Sequence, residues 1–317
     1  MIKIFAIEPE IMADPVNFDL LFRDFGSERG RWIAELPSKW RKKVIMLIYK
    51  SPAGTIPPVK RNAMADKIRK YNDRFQSVEV SWDNAKDWLE NAIDHHRRNI
   101  IDAVISKVAV PEQDSVLGVE ECQSDSADCD YSVKLNRRVE RKPEELFDAI
   151  ATATQYCTEL HLVDQYFECD GVNKASYVKF LELLFEQQRN RSAPVRDIFF
   201  HLKKPDSYDE SRVRANYSAI LQSILKTGER IILKFWEEHP GGDKIHDRYL
   251  YTERVMIDSR YGWGEGSETG HRTTLTLLDR AAAEEIRASY GGNANNSCPF
   301  PHVLGADCTI IISSSNN

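Results

Sequence analysis

Residues 245–269 read IHDRYLYTERVMIDSRYGWGEGSET, and the alternation in this stretch decides how the second half of the chain is organised. His246 to Glu253 has the pattern of a strand, in which residues two apart share a face. His246 and Arg248 therefore point the same way. A glycine-rich turn follows, Gly262-Trp-Gly264-Glu-Gly266-Ser267-Glu-Thr269. An imidazole, a guanidinium on the same face and a Gly/Ser loop that presents backbone N–H groups together suit a phosphate ester. The competing reading of His246 is a half-buried strand histidine paired with an acid, Asp247 or Glu253.

Working outward, the flanking segments alternate as in an α/β domain. Helices are expected at 143–156, 176–190, 210–227 and 277–289, and strands at 160–167, 196–202, 230–236, 245–253 and 254–258. The run LHLVDQYF at 160–167 places Asp164 and Tyr166 at a strand end, where open sheets gather ligand groups. The tail from Gly291 is rich in Gly, Asn and Ser and returns to a strand-like CTIII at 308–312.

At these residues the chain resembles the phospholipase D-like phosphodiesterase superfamily. The family motif of His, one residue, Lys, four residues, Asp and a later Gly-Ser with a nearby Asn corresponds to His246, Arg248, Glu253, Gly266-Ser267 and Thr269. The run ending in Asp164-Gln-Tyr166 is similar to the strand that precedes the motif in that family. The resemblance covers roughly 143–290 and implies a mixed sheet flanked by helices. It also implies a metal-independent phosphodiesterase, nuclease-like, that needs no cofactor. His246 would attack phosphorus and form a phosphohistidine. Arg248 would hold the non-bridging oxygens, Glu253 would orient the imidazole, and Gly266, Ser267, Thr269 and Tyr166 would line the phosphate cradle beside Asp164. Active members use two motif copies, and only His201-Leu-Lys203 offers an internal stand-in. A homodimer with an isologous contact is therefore the expected assembly. The literal His246-Asp247-Arg248 equally resembles members of the fold that are non-catalytic adaptors for a protein partner, nucleic acid or a lipid head group.

The 317 residues suffice for about two domains. With 42% hydrophobic and 29% charged residues the chain reads as an ordinary globular protein. A formal charge of −6 argues against a wholesale nucleic-acid coat but leaves room for a local basic groove. Six cysteines without a Cys-x-x-Cys spacing argue against zinc, and no metal site is expected. MIKIFAIEPEIM lacks the long apolar core of a signal peptide, and no stretch approaches the length of a membrane span, so a reducing cytoplasm is the expected location.

Residues 1–110 are expected to form a smaller α/β region that opens with a strand at 2–7. Arg29, Arg31, Lys39, Arg41 and Lys42, interleaved with Trp32 and Trp40, suggest a nucleic-acid-facing patch. The plainer reading is an amphipathic surface whose tryptophans pack and whose cations stay solvated. FQSVEV at 75–80 alternates like a strand. Apolar residues from Ala85 to Ile105 recur at helical spacing, and Ser81 or Asp83 can cap that helix. His95 and His96 are adjacent on it and so do not make a metal pair. Residues 111–133, acidic and poor in apolar side chains, read as a linker to a phospholipase D-like domain at 134–317. A basic reader joined to an effector domain would fit a two-part antiviral defence nuclease, on fold-level analogy alone.

Overall fold

Four of the five side chains of Lys3–Ile7 are buried, which leaves no wet face for an antiparallel arrangement. The segment accordingly becomes β1, the central strand of an all-parallel sheet, in a computed structural model of the chain. The structure describes residues 1–52, 54–107, 110, 115–123, 130–167, 176–205, 207–238, 244–290 and 309–314. It divides into two units, Ile2–Lys134 and Leu135–Asn317.

In the first unit the sheet order is β3-β2-β1-β4-β5, with β2 at Arg31–Ala34, β3 at Phe75–Gln76, β4 at Ala103–Ser106 and β5 at Val116–Gly118. Helices α1 (Pro9–Ala13), α2 (Pro15–Asp24), α3 (Trp40–Lys50), α4 (Pro58–Lys70) and α5 (Trp88–Arg97) connect the first four strands. Three of them start on proline, whose missing N–H costs nothing at that position. Phe5, Phe18, Phe25, Trp40 and Tyr131 share one core.

Two expectations are corrected here. The long helix through Ile105 stops at Arg97, because Asn99 takes a left-handed conformation with φ of 57°. The β-branched run after it is buried throughout as β4. The stretch read as a linker from 111 instead supplies β5 and the buried Tyr131, so the unit runs on to Lys134. Much of that stretch, Cys129 included, lies outside the described residues, as do Cys169, Cys298, Cys308 and most of the tail from Gly291. Cys122 and Cys157 are buried free thiols.

The second unit is a mixed sheet with four helices among the described residues. Its order is β13-β9-β8-β7-β10-β11-β12-β6. The strands are β6 (Asn136–Glu140), β7 (Leu160–Asp164), β8 (Asp197–Lys203), β9 (Arg230–Trp236), β10 (Arg248–Tyr251), β11 (Met256–Ser259), β12 (Arg272–Leu277) and β13 (Thr309–Ser313). The helices are α6 (Pro143–Gln155), α7 (Val178–Arg189), α8 (Glu210–Leu221) and α9 (Arg280–Tyr290). Strands β7, β8 and β9 are parallel, and β10 lies antiparallel to β7 with Arg248 opposite Asp164. β6 and β12 were absent from the expected order. β6 exposes three of its five residues at the sheet edge.

One face packs on α9 through Val163, Trp236, Tyr249, Tyr251, Met256, Ala283 and Tyr290. Within that layer His201 is fully buried and its Nδ1 accepts from Trp236 Nε1 at 3.0 Å, which puts the ring proton on Nε2. That nitrogen lies 3.0 Å from His161 Nδ1 and 3.1 Å from the Tyr251 hydroxyl. His161 stacks between Phe199 and Tyr251. His201 is thereby removed as a second half-site, since both its ring nitrogens are committed in the interior.

Burial, with Lys234 and Arg287 nearby, pushes the His161 pKa down to about 3. Burial likewise holds His201 well below its ordinary value. Both are neutral when folded but take protons in the unfolded chain below about pH 6.5. The stability they contribute is therefore complete above pH 6.5 and declines as pH falls from there toward 3. Urea denaturation between pH 7.5 and 5.5 is expected to show a loss approaching about 1.4 kcal/mol per pH unit for each histidine. His161→Phe, which keeps the stacking, should remove one proton's share of that slope; an unchanged slope would contradict the assignment.

Candidate functional site

The carboxyl ends of β7, β8 and β9, the amino end of β10 and the turn after β11 meet at one edge of the second sheet. Asp164, the last residue of β7, is fully buried there. Its Oδ2 accepts from the Tyr177 hydroxyl at 2.5 Å and the Trp263 amide at 3.4 Å, and its Oδ1 from the Tyr166 amide at 3.0 Å. Arg248 Nε lies 3.7 Å from Oδ1. Burial pushes the Asp164 pKa up, against the Tyr177 hydroxyl, the Tyr166 amide and Arg248, which favour the ionised form. Burial, helped by the same carboxylate, holds the Tyr177 phenol well above its ordinary range.

Arg248 is fixed on three sides. It faces Asp164, its Nη1 donates to the Arg260 carbonyl at 2.7 Å, and its guanidinium lies 4.6 Å from the Tyr166 ring centre. Tyr166 itself is 53% exposed, so its ring remains available to a ligand. Asp164, Tyr166 and Arg248 are therefore brought together, with Asp164 and Tyr166 positioning the cation.

His246 is exposed and precedes β10. Its Nδ1 lies 3.1 Å from the Gln165 amide nitrogen. An amide N–H only donates, so in this arrangement Nδ1 accepts and Nε2 carries the proton. The approach to His246 is anchored by Glu238, which accepts from the Ile245 amide at 3.1 Å and pairs with Lys203 at 2.9 Å and Lys244 at 3.2 Å. Burial resists ionisation of Glu238, but these contacts outweigh it and bring its pKa down to about 2.

Glu253 does not orient the imidazole. It lies beyond the far end of β10 and accepts from the Thr158 and Glu159 amides at 2.9 and 3.3 Å. Among the described residues the other histidine at the same edge is His271, beside Glu268 at the start of β12. β12 lies two strands from β10, a separation of about 10 Å. His239 lies outside the described residues.

The glycine-rich loop is pinned rather than open. Arg141 Nε and Nη2 donate to the Gly264 carbonyl at 3.2 and 3.0 Å, and the Gly266 amide donates to the Arg141 carbonyl at 2.8 Å. That bond removes the Gly266 N–H from the expected phosphate cradle. Ser267 and Thr269 are exposed on the outer part of the loop. The loop residues that press on the site are instead Gly262 and Trp263.

Beside this cluster lies a cleft of about 440 Å³, lined by Gln165, Tyr166, Lys203, Lys204, Ser207, Arg212, Asn216 and others. Lys203, Lys204 and Arg212 give it cations, while Lys204 also pairs with Glu237 at 2.6 Å. Sequence reading missed these residues. The available signal was their place at the end of β8 and at the start of α8, two strands over from the motif strand β10.

In the first unit the basic residues do not form one surface. Arg29 and Arg31 stand at the amino end of β2, and Lys39, Arg41 and Lys42 beyond its carboxyl end. Arg31 lies over the Tyr131 ring at 4.4 Å, and Arg41 pairs with Glu35 at 2.8 Å. Trp32 and Trp40 are buried, their indole N–H groups bonded to Ser27 Oγ and the Ile7 carbonyl, so neither offers a stacking face.

Gly262 has φ of 84°, and a Cβ there would lie 2.6 Å from Asp164 Oδ2 and 3.1 Å from Arg248 Cδ. Gly262→Ala is expected to cost about 2 kcal/mol or more in urea denaturation, since left-handed strain and the displaced carboxylate add. A loss below about 0.5 kcal/mol would show that the turn does not brace the site. Among the described residues no helix is long and apolar enough to cross a membrane, and no cluster of His, Cys, Asp or Glu suits a metal ion. No known protein-family profile matches this chain, and no curated protein matches it significantly.

Proposed function

We propose that the second unit recognises a nucleic-acid phosphodiester at the edge formed by Asp164, Tyr166, Arg248 and the neighbouring cleft, and does so as a non-catalytic module of phospholipase D-like type. The observation that carries this reading is the exposed Tyr166 ring, backed by Arg248 and bordering a cleft with Lys203, Lys204 and Arg212. Aromatic faces for bases and cations for phosphates are what single strands require. The phospholipase D-like assignment rests on the order β7-α7-β8-α8-β9-β10-β11 and on His246-Asp247-Arg248 at the sheet edge. Binding, unlike hydrolysis, needs neither a second imidazole nor a homodimer. With Nε2 protonated, His246 donates a hydrogen bond to a phosphoryl oxygen and has no lone pair there to attack phosphorus.

A second reading, hydrolysis through a phosphohistidine, is favoured by one observation: the partner of His246 Nδ1 is an amide. Rotation of the Gln165 amide by a half-turn would present its oxygen to Nδ1–H and free the Nε2 lone pair. A paired chain would then have to supply the general acid.

Fluorescence anisotropy with single-stranded DNA and RNA oligonucleotides tests the binding reading. Tyr166→Ala and Arg248→Ala are each expected to weaken binding by about 10-fold, equivalent to about 1.4 kcal/mol. Bis(p-nitrophenyl) phosphate should show no turnover. Turnover abolished by His246→Ala would replace the binding module with the hydrolase, and wild-type binding unaffected by either substitution would remove the site altogether.

A further inference from the structure

We infer that the first unit carries a separate binding site around His95, for a ligand of mononucleotide size that joins a heteroaromatic ring to an anionic group. The inference is independent of the function proposed for the second unit. His95 lies on α5 with 2% of its surface exposed, yet neither ring nitrogen has a hydrogen-bond partner. The Ser81 backbone approaches the ring without closing a bond of normal geometry. An unpartnered buried polar group costs about 1–3 kcal/mol. His95 lines a cavity of about 370 Å³ together with Ser81, Trp82, Asp83, Lys86, Asn91, Asp94 and Arg98. That volume falls in the range of small-molecule sites, about 300–1,000 Å³.

The wall is built before any ligand arrives. Asp87 and Glu90 form a capping box that fixes the start of α5. Asn91 then ties down the preceding loop: its Nδ2 donates to the Asp83 and Asp87 carbonyls at 2.9 and 2.8 Å, and its Oδ1 accepts from the Asp83 amide at 3.0 Å. Asn91, His95 and Arg98 fall at positions i, i+4 and i+7, hence on one helix face. His96, on another face, bonds the Ile101 carbonyl through Nδ1 at 3.1 Å.

The chemistry of the walls selects the ligand. Burial and the nearby Arg98 charge lower the His95 pKa, so the ring is neutral. A neutral imidazole offers one donor and one acceptor, which matches the edge of a nucleobase and gives no preference for simple ions. Trp82 supplies a partly buried aromatic surface. Lys86 is engaged by Asp94, whereas Arg98 makes no ion pair among the described residues, so Arg98 is the cation left for an anionic group. The ring-plus-phosphate chemistry is common to free mononucleotides and to the end of a single strand.

Calorimetric titration of the full chain with AMP, GMP, CMP and UMP tests the site, with the matching nucleosides, inorganic phosphate and a single-stranded tetranucleotide as separate arms. The His95 ring is followed by nitrogen-detected NMR. At least one mononucleotide should bind about 10-fold tighter than its nucleoside and shift the His95 ring signals, and Arg98→Ala should erase that difference. His95→Phe should weaken both. Preference for the tetranucleotide with the same dependence on Arg98 would identify a strand end as the source. The inference is overturned if no nucleotide or tetranucleotide perturbs the His95 signals up to about 5 mM. It is equally overturned if Arg98→Ala, an exposed position that the fold tolerates, leaves the nucleotide preference intact.

Discussion

A carboxylate with no access to water holds the functional edge together. Moving Asp164 out of solvent costs several kcal/mol, and only directed donors offset it. The four donors come from four places: Tyr177 ahead of α7, the Tyr166 amide after β7, the Trp263 amide after β11, and Arg248 on β10. Each pairing therefore fastens one segment to the end of β7. The exposed Tyr166 ring and the half-buried Arg248 inherit their positions from a carboxylate that is itself out of reach of solvent.

The alternation of the second half was legible because its strands are short apolar runs between helices with clear periodicity. Leu160–Asp164, Asp197–Lys203 and Arg230–Trp236 fall within two or three residues of expectation. What escaped was decided by pairing at a distance. Asn136–Glu140 has little apolar content and is a strand only because β12 offers it a ladder. In the first unit, the apolar spacing that suggested a helix to Ile105 was interrupted by one left-handed residue, Asn99. Spacing alone does not distinguish a buried strand from the continuation of a helix.

The site shows the same division. Arg248, Asp164 and Tyr166 were readable from their place at strand ends, whereas the strand expected from Ile245 begins only at Arg248 and leaves His246 ahead of it. Glu253 failed because four residues of extended chain carry a side chain to the other end of the strand, so motif spacing did not translate into proximity. Gln165, the actual neighbour of His246, comes from the turn after the adjoining strand and has no signature in one dimension. Lys203, Lys204 and Arg212 became a group only once β8 and α8 were placed beside β7.

The register of β10 against β7 also limits how this segment can change over evolutionary time. Arg248 shares a face with Asp164 because they sit directly opposite one another, and sides alternate at every residue. Deleting or inserting one residue within β10 would turn the guanidinium toward α9 and send an aromatic ring into its place. Length variation in this strand is thus confined to even steps or to the loops outside it.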